Sequence, residues 1–133
     1  MLIQERYQQI VERFEAVARA NLGKPGGIAE FCEAAGVTPR TLSRACHTVR
    51  GTTPVRHLRA IRLAAARQAL MSADARAETI TEVAMRFGFR ELGRFAVSYR
   101  TEFGESPSQT LSRARSSLGL SREAVLGRLR DLP

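Results

Sequence analysis

The sequence predicts an all-α fold, and three observations predict it. Apolar residues recur at spacings of three and four through most of the chain. Stretches that alternate apolar and polar residues, the mark of a half-buried strand, are absent. Gly and Pro punctuation cuts the chain into segments of helical length. At 133 residues the chain is sized for one domain with a modest core.

The first helix is expected over 3–21, with Ile3, Tyr7, Ile10, Phe14 and Val17 as its apolar stripe. Gly23, Pro25, Gly26 and Gly27 then break the chain. A short helix over 28–35 turns Ile28, Phe31 and Cys32 inward. Gly36 supplies a positive φ for the turn, and Val37 plugs the core. Thr38 and Pro39 form a start signal, a hydroxyl cap followed by Pro at the first helical position. The helix that follows, over 39–49, buries Leu42, Ala45 and Cys46 and shows Arg40, Thr41, Ser43, Arg44 and His47.

Thr53 and Pro54 repeat the start signal for a long helix to about Met71. Its apolar residues Val55, Leu58, Ile61, Leu63, Ala65 and Leu70 lie on more than one side, as suits a helix gripped at both ends. A polar loop spans 72–78, after which Thr79 or Thr81 caps a helix with the stripe Ile80, Val83, Ala84 and Phe87. Gly88 and Phe89 make a second turn. A helix over 91–103 then buries Phe95, Ala96, Tyr99 and Phe103. Its exposed set is Arg90, Gly93, Arg94, Val97, Ser98 and Arg100. Ser106 and Pro107 start a helix to about Ala114, and a last short helix is expected over 121–129.

Two of these stretches are copies. GVTPRTLSRACHTVRGTTP (36–54) and GFRELGRFAVSYRTEFGESP (88–107) align without a gap from Leu42 on Phe95. That register puts Gly51 on Gly104 and Pro54 on Pro107. Two turn–helix copies on one small chain describe two helix-turn-helix units. The organisation is then an N-terminal helix and break (1–26), a first unit (27–53), a linker helix (54–72), a second unit (79–115) and a tail (116–133).

Charge points to the partner. The formal net charge is +8, and between Ala34 and Ala73 no acidic residue interrupts seven arginines, at 40, 44, 50, 56, 59, 62 and 67. A solvated face normally mixes signs, whereas a one-sign run favours a polyanion. A basic helical module for an acidic protein partner is the alternative reading. Cys32 and Cys46 stand fourteen positions apart without paired Cys-x-x-Cys spacing, so buried free thiols are expected and structural zinc is not. His47 and His57 have no carboxylate close in sequence, which argues against a metal site. No nucleophile arrangement or Gly-rich phosphate loop appears, so neither an enzyme nor a cofactor is expected. Neither a signal peptide nor a membrane-length apolar run is evident, and the expected setting is the cytoplasm.

A helix in the major groove reads base edges from its N-terminal half. The first unit thereby nominates Arg40, Thr41, Ser43 and Arg44, and the second Arg90, Leu92, Gly93, Arg94 and Val97. Arg44 has the alternative of an interhelix salt bridge. Leu92 fits a thymine methyl or the core, with core preferred. Gly93 lets backbone approach DNA closely. Helix starts near Thr38, Thr53 and Ser106, with Arg50, Arg56 and Arg100, are candidate phosphate ligands. Arg62 is expected either there or paired with an acid such as Glu82.

The motifs GVTPRTLSR (36–44), LRAIRLAAARQAL (58–70), ITEVAMRFGF (80–89) and FGESPSQTL (103–111) resemble the DNA-binding domain of the AraC/XylS family of bacterial transcription regulators. The resemblance covers about residues 10–115, and RFAVSYR (94–100) with its following FGESPS looks most like the branch holding ethanolamine-utilisation regulators. It implies a homeodomain-like fold of seven to eight helices and two recognition helices in adjacent major-groove segments. A linker of eighteen residues, roughly 27 Å at about 1.5 Å per residue, could span most of a DNA turn of roughly 34 Å. The resemblance further implies transcription activation, double-stranded promoter DNA as partner and contact with RNA polymerase. A small-molecule effector would act only through a domain that larger members carry on the N-terminal side. The chain is accordingly expected to be the C-terminal part of a longer regulator, with a small stand-alone activator as the alternative. It departs from the family pattern at Val97, where arginine is common, at Leu92 and Gly93, where polar residues are, and at Cys46, where an aromatic is. The second unit should then read fewer bases by hydrogen bond and more by shape or methyl contact.

Overall fold

The computed structural model describes residues 2–24, 27–72 and 78–117. The break at Pro25 and Gly26, residues 73–77 of the polar loop and the expected helix over 121–129 lie outside the described residues. In chain order the helices are α1 (Ile3–Ala20), α2 (Ile28–Ala35), α3 (Pro39–Arg50), α4 (Pro54–Met71), α5 (Ile80–Arg86) and α6 (Leu92–Phe103). A further helix, α7, runs from 107 to 117. No strand occurs among the described residues, nor any helix long and apolar enough to cross a membrane.

The described residues fall into two compact units, one made of those up to 64 with 86–88, the other of those in 65–85 and 89–117. The core of the first joins Val11, Phe14 and Ala18 of α1 to Phe31 and Cys32 of α2, Leu42, Ala45 and Cys46 of α3, and Leu58 and Ile61 of α4. Phe14 and Phe31 meet edge-on with centroids 5.3 Å apart. Each of the larger of these side chains, such as Phe14 or Leu42, stabilises the fold by about 1.5–3 kcal/mol through removal from water.

The buried stripe of α1 differs from the expected one. Ile10 and Phe14 are buried, but Ile3 is exposed and Tyr7 and Val17 are only partly covered. The face against α2 and α3 is rotated onto Val11, Glu15 and Ala18. After α1 the chain turns sharply at Gly23, whose φ is +83°. A Cβ there would stand 2.0 Å from the carbonyl oxygen of Arg86, so only glycine fits against that end of α5.

Both helix-turn-helix turns are built the same way. Gly36 and Gly88 take positive φ, and the next residue bonds back five positions, Val37 N–H to Cys32 O and Phe89 N–H to Ala84 O. The second turn is one residue longer, because Arg90 separates Phe89 from the N-cap Glu91, whereas Val37 is followed directly by the N-cap Thr38. Beyond the caps the copies are in register. Leu42 and Phe95 are both buried, as are Cys46 and Tyr99, and Gly51 and Gly104 are both left-handed C-caps.

In the second unit Ala66 and Leu70, Val83 and Ala84, Phe95 and Tyr99, and Thr110 and Leu111 are buried. Phe89, Phe95, Tyr99 and Phe103 follow one another with centroids 4.7–5.7 Å apart. Ser106 and Gln109 close the start of α7 reciprocally: Ser106 Oγ accepts from Gln109 N–H, and Gln109 Oε1 accepts from Ser106 N–H.

Candidate nucleic-acid interface

Helix α3 begins with a complete set of start signals. Thr38 Oγ1 accepts the N–H of Thr41 at 3.2 Å, Pro39 occupies the first turn, and the far end closes on Gly51. With Leu42, Ala45 and Cys46 turned into the core, the 100° step of a helix turns Arg40, Ser43, Arg44 and His47 outward, and all four are exposed. Thr41 is half-buried, and its hydroxyl lies 3.0 Å from that of Thr38. Neither Arg40 nor Arg44 makes an ion pair or side-chain hydrogen bond among the described residues. Two free guanidiniums on one helical face suit bidentate recognition of guanine or phosphate.

An open concavity beside α3 brings Tyr7 of α1 together with Ser43, Arg44, His47 and Thr48 and with Thr52 and Thr53. Tyr7, Thr48 and Thr52 escaped the sequence reading. Their signal is weak, since α1 precedes the motif and only packing carries Tyr7 to its edge.

Arg50 has a structural task that the sequence reading did not assign. Its Nε and Nη2 donate to the two carboxylate oxygens of Glu15, each at 2.9 Å, and His57 Nε2 lies 2.6 Å from Glu15 Oε2. Glu15 is buried, and the Arg50 guanidinium followed by His57 holds its carboxyl at about 2, against the opposing effect of burial. The end of α3 and the first turn of α4 are thereby tied to the middle of α1. Cys46, close by, is pushed up to about 11 by burial and by the Glu15 charge. It and Cys32 are buried free thiols. Among the described residues no cluster of His, Cys, Asp and Glu could hold a metal ion.

Among the described residues Arg62 is not paired with Glu82. Its Nη2 donates to the Lys24 carbonyl at 3.5 Å, and its guanidinium lies 3.6 Å from where a Cβ on Gly88 would stand. Burial lowers its affinity for the proton. Arg56 is exposed, and its backbone N–H meets the Thr53 cap at 3.2 Å.

Helix α6 presents different chemistry. Its N-cap Glu91 makes no capping hydrogen bond and instead pairs with Arg94, Nε to Oε2 at 3.0 Å, with both side chains mostly exposed. Such a pair holds by no more than about 1 kcal/mol and can open for another anion. Phe95 and Tyr99 point inward, so Gly93, Arg94, Val97 and Thr101 form the outward face, with Arg90 and Arg100 also exposed. Val97 is 68% exposed. Leu92, expected in the core, is 44% exposed, because as first residue of the helix it has no preceding turn to cover it.

A second charged network holds the far end of α6. Tyr99 Oη donates to Thr110 Oγ1 at 2.7 Å, and Thr110 Oγ1 donates to Glu105 at 2.8 Å. Glu105 also takes two bonds from Arg113, at 2.6 and 2.8 Å, and lies 3.6 Å from Arg67. The Thr110 hydroxyl and then Arg113 hold the Glu105 carboxyl below the usual range. Burial raises the Tyr99 phenol.

Comparison with known proteins gives one consistent picture. The model of a helix-turn-helix domain family matches residues 31–113. XylDLEGF operon transcriptional activator 2 of Pseudomonas putida is 36% identical over 118 residues, 89% of this chain and 75% of that protein. A probable AraC family transcriptional regulator from Rhodopseudomonas palustris superposes with a TM-score of 0.70 at 36% identity, covering 79% of this chain and 96% of that one. The DNA-binding domain of AdpA, solved in complex with a target DNA, superposes with a TM-score of 0.70 at 25% identity, covering 81% of this chain and 94% of that one. Against three other curated relatives the chain spans only 28–33% of their length.

Proposed function

Since this chain belongs to the AraC/XylS family of transcription regulators, we propose that it binds double-stranded promoter DNA in a sequence-specific manner and activates transcription. Each unit contributes one recognition helix, α3 and α6, to adjacent major-groove segments. The observation that carries the reading is the repeated, C-capped recognition helix, with Arg40 and Arg44 exposed on its first copy and unpaired among the described residues. Arg40, Arg44 and Arg94 pair with base edges, with Thr41 and Ser43 beside them. Thr38, Arg56, Arg90 and Arg100 contact phosphates and fix register. Arg50 reaches phosphate only through Nη1, since its other two nitrogens hold Glu15.

Activation is supported by the name of the Pseudomonas relative, and it would run through contact with RNA polymerase. Effector sensing is assigned to the sequence that longer relatives carry outside the matched part.

Selection of binding sites from a random duplex library, at near-physiological salt, tests the reading. The expected result is enrichment of a site with two short blocks. Binding without enrichment would reduce the interaction to phosphate electrostatics or turn the arginine face toward an acidic protein.

A further inference from the structure

We propose that α6 reads DNA by a methyl contact: Val97, with the bare backbone of Gly93 beside it, receives the 5-methyl group of a thymine at the place where α3 offers the Arg44 guanidinium. This rests on the DNA-binding reading above and names the chemistry by which its second unit discriminates.

The internal repeat supplies the register. With Leu42 on Phe95 and Cys46 on Tyr99, both pairs buried, Arg44 falls on Val97 and Arg40 on Gly93. The two arginines that lead the face of α3 are therefore replaced on α6 by an isopropyl group and by no side chain. Val97 is 68% exposed at the centre of the outward face. It can neither donate nor accept a hydrogen bond. Among major-groove base edges only thymine presents an apolar group. The Thr101 hydroxyl, one turn on, donates to the Val97 carbonyl at 2.9 Å, so its proton is already committed within the helix. Arg94 is thus the one side chain of the four with donors to spare.

Gly93 is the second observation. Gly93 stands in the first turn of α6, where glycine is a weaker helix former than alanine. Gly93 has no positive φ, and among the described residues nothing lies within 4 Å of where its Cβ would stand, so packing among them does not require it. Its use is clearance for something outside the chain, one turn before Val97. Arg90, Arg94 and Arg100 are exposed around this apolar spot, which suits a polyanion rather than an apolar protein face.

The test uses the whole 133-residue chain and its selected duplex. Each thymine in the block assigned to the second unit is replaced in turn by deoxyuridine, which lacks only the methyl group, and Kd is read by fluorescence anisotropy. One replacement is expected to weaken binding about three- to ten-fold, and Val97→Ala should shrink that effect below about two-fold. Val97→Arg should shift preference at that base pair toward guanine. Uracil tolerated at every position, or an undiminished uracil effect in Val97→Ala, overturns the methyl contact while specific binding stands. Loss of all preference for the selected over a scrambled duplex would instead overturn the DNA-binding reading itself.

Discussion

The two units hold the same turn–helix element with different materials. In the first, aromatic volume comes from outside the recognition helix, from Phe14 of α1 and Phe31 of α2, while α3 contributes Leu42, Ala45 and Cys46. In the second, the recognition helix brings its own rings, Phe95, Tyr99 and Phe103. The first unit ties the end of α3 to buried Glu15 through Arg50. The second runs a chain of hydroxyls from Tyr99 through Thr110 to Glu105. What repeats is backbone punctuation: a left-handed glycine before the helix, another after it, and proline at the start of the next. Core filling and outward chemistry are free to diverge once that frame is set. The outward faces have diverged to arginines on α3 and an isopropyl group on α6.

Removing the aromatic volume should break each unit most severely. Phe14→Ala and Tyr99→Ala are each expected to destabilise by about 3–5 kcal/mol in urea unfolding, with Tyr99→Ala also leaving the Thr110 hydroxyl without its donor.

Glu15 separates the units next. Its carboxyl stands at about 2 in the folded chain against 4.5 for the free group. A depressed folded pKa adds stability that is complete above about 4.5 and is lost as pH falls toward 2, worth on the order of 3 kcal/mol. Melting temperature should fall through that window in the wild type, and Glu15→Gln should melt lower at pH 7 with a flatter acid limb.

DNA binding should then show the contrast between faces. Arg44→Ala is expected to weaken specific binding by about 1–3 kcal/mol and Val97→Ala by about 1 kcal/mol, with equal losses on scrambled duplex demoting Arg44 to a phosphate contact. Among caps, Thr38→Ala should destabilise by about 1 kcal/mol and Glu91→Ala hardly at all, because only Thr38 accepts a backbone bond. The smallest change has opposite signs in two assays. Gly93→Ala should raise stability by up to about 0.5 kcal/mol, less than in mid-helix, while weakening binding to the selected site.

Much of this was legible in the sequence because it depends on local punctuation. Thr38, Pro39, Gly36, Thr53, Pro54 and Gly88 mark their turns by chemistry that acts within four residues, and the end of α2 and the starts of α3 and α4 follow from them. The tertiary ties were not legible. Glu15 meets partners 35 and 42 positions away, and nothing near it in sequence announces Arg50 or His57. One signal was present: Glu15 stands four after Val11 and three before Ala18, a charge inside an apolar stripe, as a buried pair requires. That stripe was read about one residue off, through exposed Ile3, because amphipathic spacing alone admits several faces. Leu92 fits a thymine methyl or the core on sequence alone, and its 44% exposure follows from its place in the first turn of α6.

The central claim is that both recognition helices read DNA sequence, α3 by hydrogen bonding and α6 chiefly by apolar contact. It is tested most directly by anisotropy titration of the purified chain against the selected duplex, against one with its first block scrambled and against one with its second block scrambled. The account predicts loss of affinity in both, larger for the block read by the Arg40 and Arg44 face. Equal affinity for all three duplexes would contradict it.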